Sequence, residues 1–163
     1  MHILWLTARS ISDLCFTTQQ NLIGGLLNQG HQVTFVNGDV SSSSARPNFN
    51  HVSLSNNAPR GFQAKALGKT IRLWLMRQDL IEGSTVALVE WRVVNQVVPM
   101  LEKMRIPWAL MDRSPPADTG LFGWLQWRSW KKAWSIARDR DVLGFVVSPA
   151  HKRFVDLKIG HKK

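Results

Sequence analysis

The chain has no tyrosine and a single cysteine, Cys15, among its 163 residues. One thiol excludes an internal disulfide, and a reducing compartment fits that composition. No apolar run approaches the ~18 residues that a membrane-spanning helix needs. The N-terminus lacks a basic segment followed by an apolar stretch and a small-residue cleavage site, so no signal peptide is expected. Acidic residues are scarce. The 21 Lys and Arg outnumber 11 Asp and Glu, which leaves a net charge of +10 and a pI of about 10.7. That excess favours a polyanionic partner: nucleic acid, an acidic membrane surface or a phosphate-bearing substrate.

Several chemistry-bearing motifs are missing too. No G-x-G-x-x-G follows the first apolar run, and no G-x-x-x-x-G-K-[ST] occurs, so dinucleotide and Walker-type sites lack support. His2, His31, His51, His151 and His161 are dispersed, without metal-ligand spacing to a cysteine or carboxylate, and neither a metal nor a cofactor is expected. Cys15 reads as a core residue. Nucleic acid ranks low as a partner, because no RNP, KH, helix-turn-helix or zinc-finger pattern appears.

What is present is an alternation of short apolar runs and helical stretches. Ile3-Leu4-Trp5-Leu6 reads as a strand, followed by a polar loop and a helix over 14–29 capped by Ser12 or Asp13. Gly30 ends that helix, and Gln32-Val33-Thr34-Phe35-Val36 is the next strand. Together they form a βαβ unit, whose right-handed crossover builds parallel sheet. A pair of glycines, Gly24-Gly25, inside the helix suggests close packing on the sheet. A serine-rich loop over 41–44 and a weak strand over 51–54 follow. Residues 63–81 form a helix with a basic stripe of Lys65, Lys69 and Arg72. Strands over 85–89, 106–111 and 142–147 then alternate with helices over 94–104, 121–138 and 150–157. The pattern fits one domain over 1–163, a doubly wound α/β fold with a mostly parallel sheet of about six strands and helices on both faces.

In such a sheet the loops after the strands share one edge, where ligands gather. Those loops carry Arg9, Ser10, Ser12, Asn37, Asp39, Glu90, Trp91, Arg92, Asp112, Arg113, Ser114 and Ser148. Arginines there can hold phosphate or carboxylate groups through paired N–H donors. Asp112 or Glu90 can accept a proton or bind sugar hydroxyls. The plain alternative is that loop ends are polar because they meet water.

Trp124, Trp127, Trp130 and Trp134 share one face of the 121–138 helix, with Arg128, Lys131, Lys132 and Arg138 around it. Three interpretations stay open: rings packed on the sheet, rings among the headgroups of an acidic membrane, or rings stacked on bases.

Four segments carry a family resemblance. Met1-His2-Ile3-Leu4-Trp5-Leu6 resembles the first strand of GT-B glycosyltransferases, family 4 in particular. Leu27-Asn28-Gln29-Gly30-His31-Gln32-Val33-Thr34-Phe35-Val36 resembles the Gly-His junction between helix and second strand. Ile106-Pro107-Trp108-Ala109-Leu110-Met111-Asp112 and Val146-Val147-Ser148-Pro149-Ala150-His151-Lys152-Arg153-Phe154 are similar to later segments of the family's N-terminal domain. The resemblance implies the acceptor-binding half of an enzyme that moves a sugar from a nucleotide-sugar donor to an acceptor hydroxyl. The donor is then held mainly by a C-terminal domain absent from this chain, and the isolated chain is inactive. It implies an acceptor glycan or lipid-linked acceptor. The basic faces and the tryptophan helix add the expectation of a cytoplasmic location with peripheral contact at the acidic inner face of the membrane. Asp112 is the catalytic candidate. Arg9, Ser10, Glu90, Trp91, Arg92, Arg113 and Ser148 are the substrate-binding candidates. The sequence departs from the family where Arg9-Ser10-Ile11-Ser12 replaces a Gly-Gly loop and Asp112-Arg113 replaces a histidine. The competing expectation is a stand-alone Rossmann-like binding module or partner subunit without catalysis of its own.

Overall fold

Strands buried on both faces of a parallel sheet must be nearly continuous apolar runs. In the computed structural model the runs at 3–6, 33–36 and 108–111 are such strands. The structure describes residues 1–10, 16–39, 46–55, 57–79 and 83–160. In chain order the elements are β1 (His2–Leu6), α1 (Phe16–Asn28), β2 (Gln32–Asn37), β3 (Phe49–Ser53), α2 (Gln63–Leu75), β4 (Thr85–Glu90), α3 (Trp91–Lys103), β5 (Trp108–Asp112), α4 (Gly120–Asp139), β6 (Gly144–Val146) and α5 (Pro149–Ile159). The expected caps Ser12 and Asp13, together with Cys15 and the serine run, lie outside the described residues.

The six strands pair in the order β3-β2-β1-β4-β5-β6. Every pairing is parallel, with Leu6 opposite both Val36 and Val89, and Asp112 opposite Val146. The strand ends that carry the polar loops therefore lie along one edge.

The helices divide unequally. On one face α1 covers β1 and β2 through Ile23, Leu26 and Leu27, against Ile3, Trp5, Val33 and Phe35. The opposite face holds the larger core, where α2, α3, α4 and α5 bring Leu67, Ile71, Val94, Val97, Leu101, Trp130, Ala133 and Val155 onto Leu4, Leu6, Val89 and Leu110. Charge follows the same division. The α2–α5 layer carries twelve Lys and Arg against three acidic residues, while α1 carries no charge.

The strands expected over 51–54, 106–111 and 142–147 shift by about two residues at their ends, and two helix boundaries differ more. The helix expected from 94 begins at Trp91, directly after β4, because Trp91, Val94, Val98 and Leu101 continue one buried stripe. Glu90 is thus both the last residue of a strand and the N-cap of a helix. The helix expected to reach 81 ends at Leu75.

The close packing expected at Gly24-Gly25 is absent. A Cβ at either position would meet nothing within 4 Å. Both glycines therefore carry only the entropic cost of a flexible helix residue. Alanine at Gly24 or Gly25 is expected to raise stability by about 0.5–1 kcal/mol each. A thermal melt checks this, and a lowered midpoint for either variant would show that the glycine has a packing role. Gly68 is the contrasting case. There α3 approaches α2 so closely that a Cβ would sit 2.9 Å from the Gln96 Cβ.

Candidate functional site

The site is built on the strand-end edge, and Glu90 is its hub. Glu90 is 2% exposed. Its Oε2 accepts from the Thr7 hydroxyl at 2.9 Å and from the Ala8 backbone N–H at 2.8 Å. Its Oε1 lies 3.4 Å from Arg9 Nε and 3.5 Å from Arg92 Nε. Two guanidinium groups thus flank one buried carboxylate, which is how a charge is kept out of water at tolerable cost. Arg9 also donates from Nη2 to the Ser114 hydroxyl. The guanidinium of Arg92 sits 5.2 Å from the centre of the Trp91 ring, and Trp91 Nε1 donates to the Ser114 carbonyl at 3.1 Å. Sequentially distant Arg9, Glu90, Trp91, Arg92 and Ser114 are therefore one contiguous unit across β1, β4 and β5.

Asn37 ties this unit to β3. Its Nδ2 donates to the Arg9 carbonyl at 3.1 Å and to Asp39 Oδ2 at 2.8 Å. Its Oδ1 can only accept, so His51 Nε2 donates to it at 2.8 Å. Burial holds the His51 imidazole below its ordinary pKa, with Asp39 opposing, and burial likewise lowers His2. A histidine whose folded-state pKa is depressed is kept neutral by the fold. Stability is then highest above about pH 6.5 and falls as the pH drops through that unfolded-state value, flattening below the folded one. The melting temperature is expected to decline between pH 7.5 and 5.5, and less so in a His2→Gln/His51→Gln variant. An identical slope in the variant would remove these histidines as the cause.

Asp112 is a second hub, one strand away and facing the larger core. It is fully buried. Its Oδ2 accepts from Trp130 Nε1 at 2.7 Å and from Trp134 Nε1 at 2.9 Å, and lies 3.2 Å from His151 Nε2. Ser148 stands apart at the β6 edge. It caps α5, accepting from the His151 backbone N–H at 3.1 Å. Arg113 is buried, and Ser10 is half-buried on the loop after β1.

The tryptophan face is mainly core. Trp130 is fully buried, and Trp127 and Trp134 pack against the same cluster, with Trp127 and Trp130 also meeting Phe154. Only Trp124 of the four is exposed, with Arg128 5.6 Å from its ring centre.

Beside the Glu90 unit lies a cleft of about 610 Å³ between the N-terminal ends of α2, α3 and α4. Arg92 reaches it from the hub. Arg60, Phe62, Lys65 and Phe122 line it as well, and none of these four was singled out as a site residue from the sequence. The basic stripe on α2 pointed to Lys65. Nothing in the pattern pointed to Phe122. Among the described residues no group of three His, Cys, Asp or Glu could hold a metal ion. Within the same residues no helix is long and apolar enough to cross a membrane.

The architecture matches solved glycosyltransferases. LpCGTa, solved with UDP, superposes with a TM-score of 0.61 at 11% identity over 91% of this chain and 53% of its own. UGT89C1 of Arabidopsis thaliana, also with UDP, gives a TM-score of 0.57 at 12% identity over 96% of this chain and 56% of its own. A UGT transferase from Siraitia grosvenorii, again with UDP, gives 0.55 at 11% identity over 96% and 54%. The chain has the fold of one half of a GT-B glycosyltransferase. It spans about half the length of these structures. No protein-family profile and no curated protein matches the sequence.

Proposed function

We propose that this chain is the acceptor-binding half of a family 4-like glycosyltransferase, which transfers a sugar from a nucleotide-sugar donor to an acceptor hydroxyl. One observation carries the proposal. An all-parallel sheet with the GT-B half fold brings Arg9, Glu90 and Arg92 together beside an open cleft of about 610 Å³. The donor belongs to a second domain, joined to this one or supplied as a separate subunit. That arrangement is supported by the length of the matching structures, of which this chain spans about half.

The side chains take distinct roles in this proposal. Arg92 is 30% exposed and reaches the cleft, so it contacts the acceptor. Glu90 and Arg9 are positioning residues, because they are buried and act by holding Arg92 and the loop after β1. Asp112, with Oδ2 occupied by three donors, holds α4 and α5 on the sheet and is also a positioning residue. Ser148 is a helix cap, and Trp91 is the floor on which Arg92 rests.

The test is an assay of sugar transfer from a UDP-sugar. The chain alone is expected to show none, and addition of a donor-binding half is expected to restore it. Transfer by the chain alone would overturn the division of labour. With the donor half present, Arg92→Ala is expected to raise the KM for acceptor more than it lowers kcat.

Peripheral contact with an acidic membrane is a further part of the proposal. The cationic α2–α5 layer supports it, since each basic residue near an anionic surface contributes about 1 kcal/mol at most. The chain is expected to sediment with phosphatidylglycerol vesicles and not with phosphatidylcholine vesicles. Equal sedimentation would remove the electrostatic contribution.

A further inference from the structure

We infer that the cleft between α2, α3 and α4 takes an amphiphile with a phosphate head and an apolar body. This rests on the acceptor-half proposal and names the chemical class of that acceptor.

The head is indicated by charge. Arg60, Lys65 and Arg92 all line the cleft, against one acidic residue, Asp118. Asp118 is engaged by the Gln126 side-chain amide across the wall of the same cleft. Arg92 is held in place by Glu90 and by the Trp91 ring, so its guanidinium meets a ligand without a large ordering cost. The three helix ends reinforce the cations. Phe62, Glu90 and Thr119 occupy the N-cap positions of α2, α3 and α4, and none gives a side-chain cap. No acidic residue stands in the first turn of any of them. By contrast α5, which lies away from the cleft, is capped by Ser148. Cations beside helix N-termini that no N-cap side chain satisfies favour a multiply charged oxyanion such as a phosphate.

The body is indicated by what surrounds the head site. Phe62, Leu121, Phe122 and Trp124 are 49%, 71%, 43% and 56% exposed. Phe62 and Phe122 line the cleft together with Leu125, while Leu121 and Trp124, in the same turns of α4, lie outside its lining and extend the exposed apolar surface beyond it. Gly61, at φ +87°, leaves no room for a Cβ beneath the Phe122 ring, so the ring lies directly on the backbone there and forms one wall of the cleft. Large apolar side chains exposed together at a cleft mark a surface that something apolar covers. A free phosphate has no use for this apolar rim, and a neutral apolar acceptor has no use for three cations. A phosphate-headed amphiphile uses both. It could be a soluble phosphorylated compound or a lipid phosphate held in a membrane, and the test separates the two.

Binding is followed by the change in tryptophan fluorescence of the full chain on titration with decyl phosphate, inorganic phosphate and decyl maltoside. Saturable binding of decyl phosphate is expected, well above that of the other two. Arg60→Gln/Lys65→Gln is expected to weaken it at least about tenfold, as loss of charge-assisted hydrogen bonds requires. Phe62→Ser/Phe122→Ser is expected to weaken decyl phosphate binding while leaving inorganic phosphate binding as it was. All four positions are exposed, so both variants fold. Phosphatidylcholine vesicles doped with dicetyl phosphate form the membrane arm. Capture by these vesicles that depends on Arg60 and Lys65 assigns a membrane source, and decyl phosphate binding without capture assigns a soluble one. Equal binding of decyl maltoside, or an unchanged affinity in Arg60→Gln/Lys65→Gln, overturns the inference. Sugar transfer with the donor half present, but without decyl phosphate binding, would overturn it and leave the parent proposal standing. Binding without transfer would do the reverse.

Discussion

Replacing Asp112 with alanine is expected to lower the unfolding free energy by about 3–5 kcal/mol, the cost of leaving the partners of a buried carboxylate without it. Three donors converge on its Oδ2: the indole N–H groups of Trp130 and Trp134, and His151 Nε2. Two of the three have no water to turn to, since Trp130 is fully buried and His151 is 8% exposed, while Trp134 is half-buried. The loss falls on three elements at once, because β5, α4 and α5 meet at this oxygen. Asp112→Asn keeps the volume and one acceptor oxygen, so its cost is expected to be smaller. Guanidinium unfolding followed by tryptophan fluorescence measures both variants. A loss below about 1 kcal/mol for Asp112→Ala would show that the indoles find other acceptors and that the hub does not hold the helices.

The second large effect is expected at Glu90. Glu90→Ala removes a carboxylate from beside the 7% exposed guanidinium of Arg9 and deprives the Thr7 hydroxyl and the Ala8 N–H of their acceptor. A loss of about 3–5 kcal/mol is expected here too. Unlike Asp112→Ala, this change also reaches the cleft. Arg92 loses the group that aims its guanidinium, so acceptor affinity should fall with stability. Glu90→Gln separates the two consequences. The amide retains an oxygen for Thr7 and Ala8 but no charge for the arginines, so stability is partly restored while Arg92 remains released. Full acceptor affinity in Glu90→Gln would show that Arg92 is positioned by Trp91 alone.

The two hubs show how far the residue pattern reaches. Polar residues after apolar strands were readable as one edge, because parallel strands put all their carboxyl ends together. Glu90 and Asp112 were picked out on that basis. Their partners were not. Thr7 and Ala8 lie over 80 residues from Glu90, and the indoles that hold Asp112 belong to a helix that could equally have faced lipid. Periodicity tells which side chains share a face. It does not tell how deep that face lies, which depends on what packs over it. Here Phe154 from α5 closes over Trp127 and Trp130 and leaves Trp124 outside.

The weak points of the pattern have the same origin. β3 and β6 are edge strands, partly exposed, and β6 has only three residues, so they lack the continuous apolar runs that marked 3–6 and 108–111. The start of α3 was missed because Glu90-Trp91-Arg92 looks polar and loop-like until Trp91 is seen to be buried. Gly24-Gly25 looked like a packing device, but the space above it is empty.

By itself the chain of residues determined the α/β class, the parallel sense of the sheet and the edge where polar groups collect, since each follows from local runs and short connections. The cleft and the depth of the tryptophans were decided only by tertiary structure. Arg60 and Phe62 precede α2, while Phe122 lies some sixty residues later on α4, and no local rule brings them to one wall. They meet because burying the apolar stripes of α2, α3 and α4 on the same face of the sheet sets those helix ends side by side.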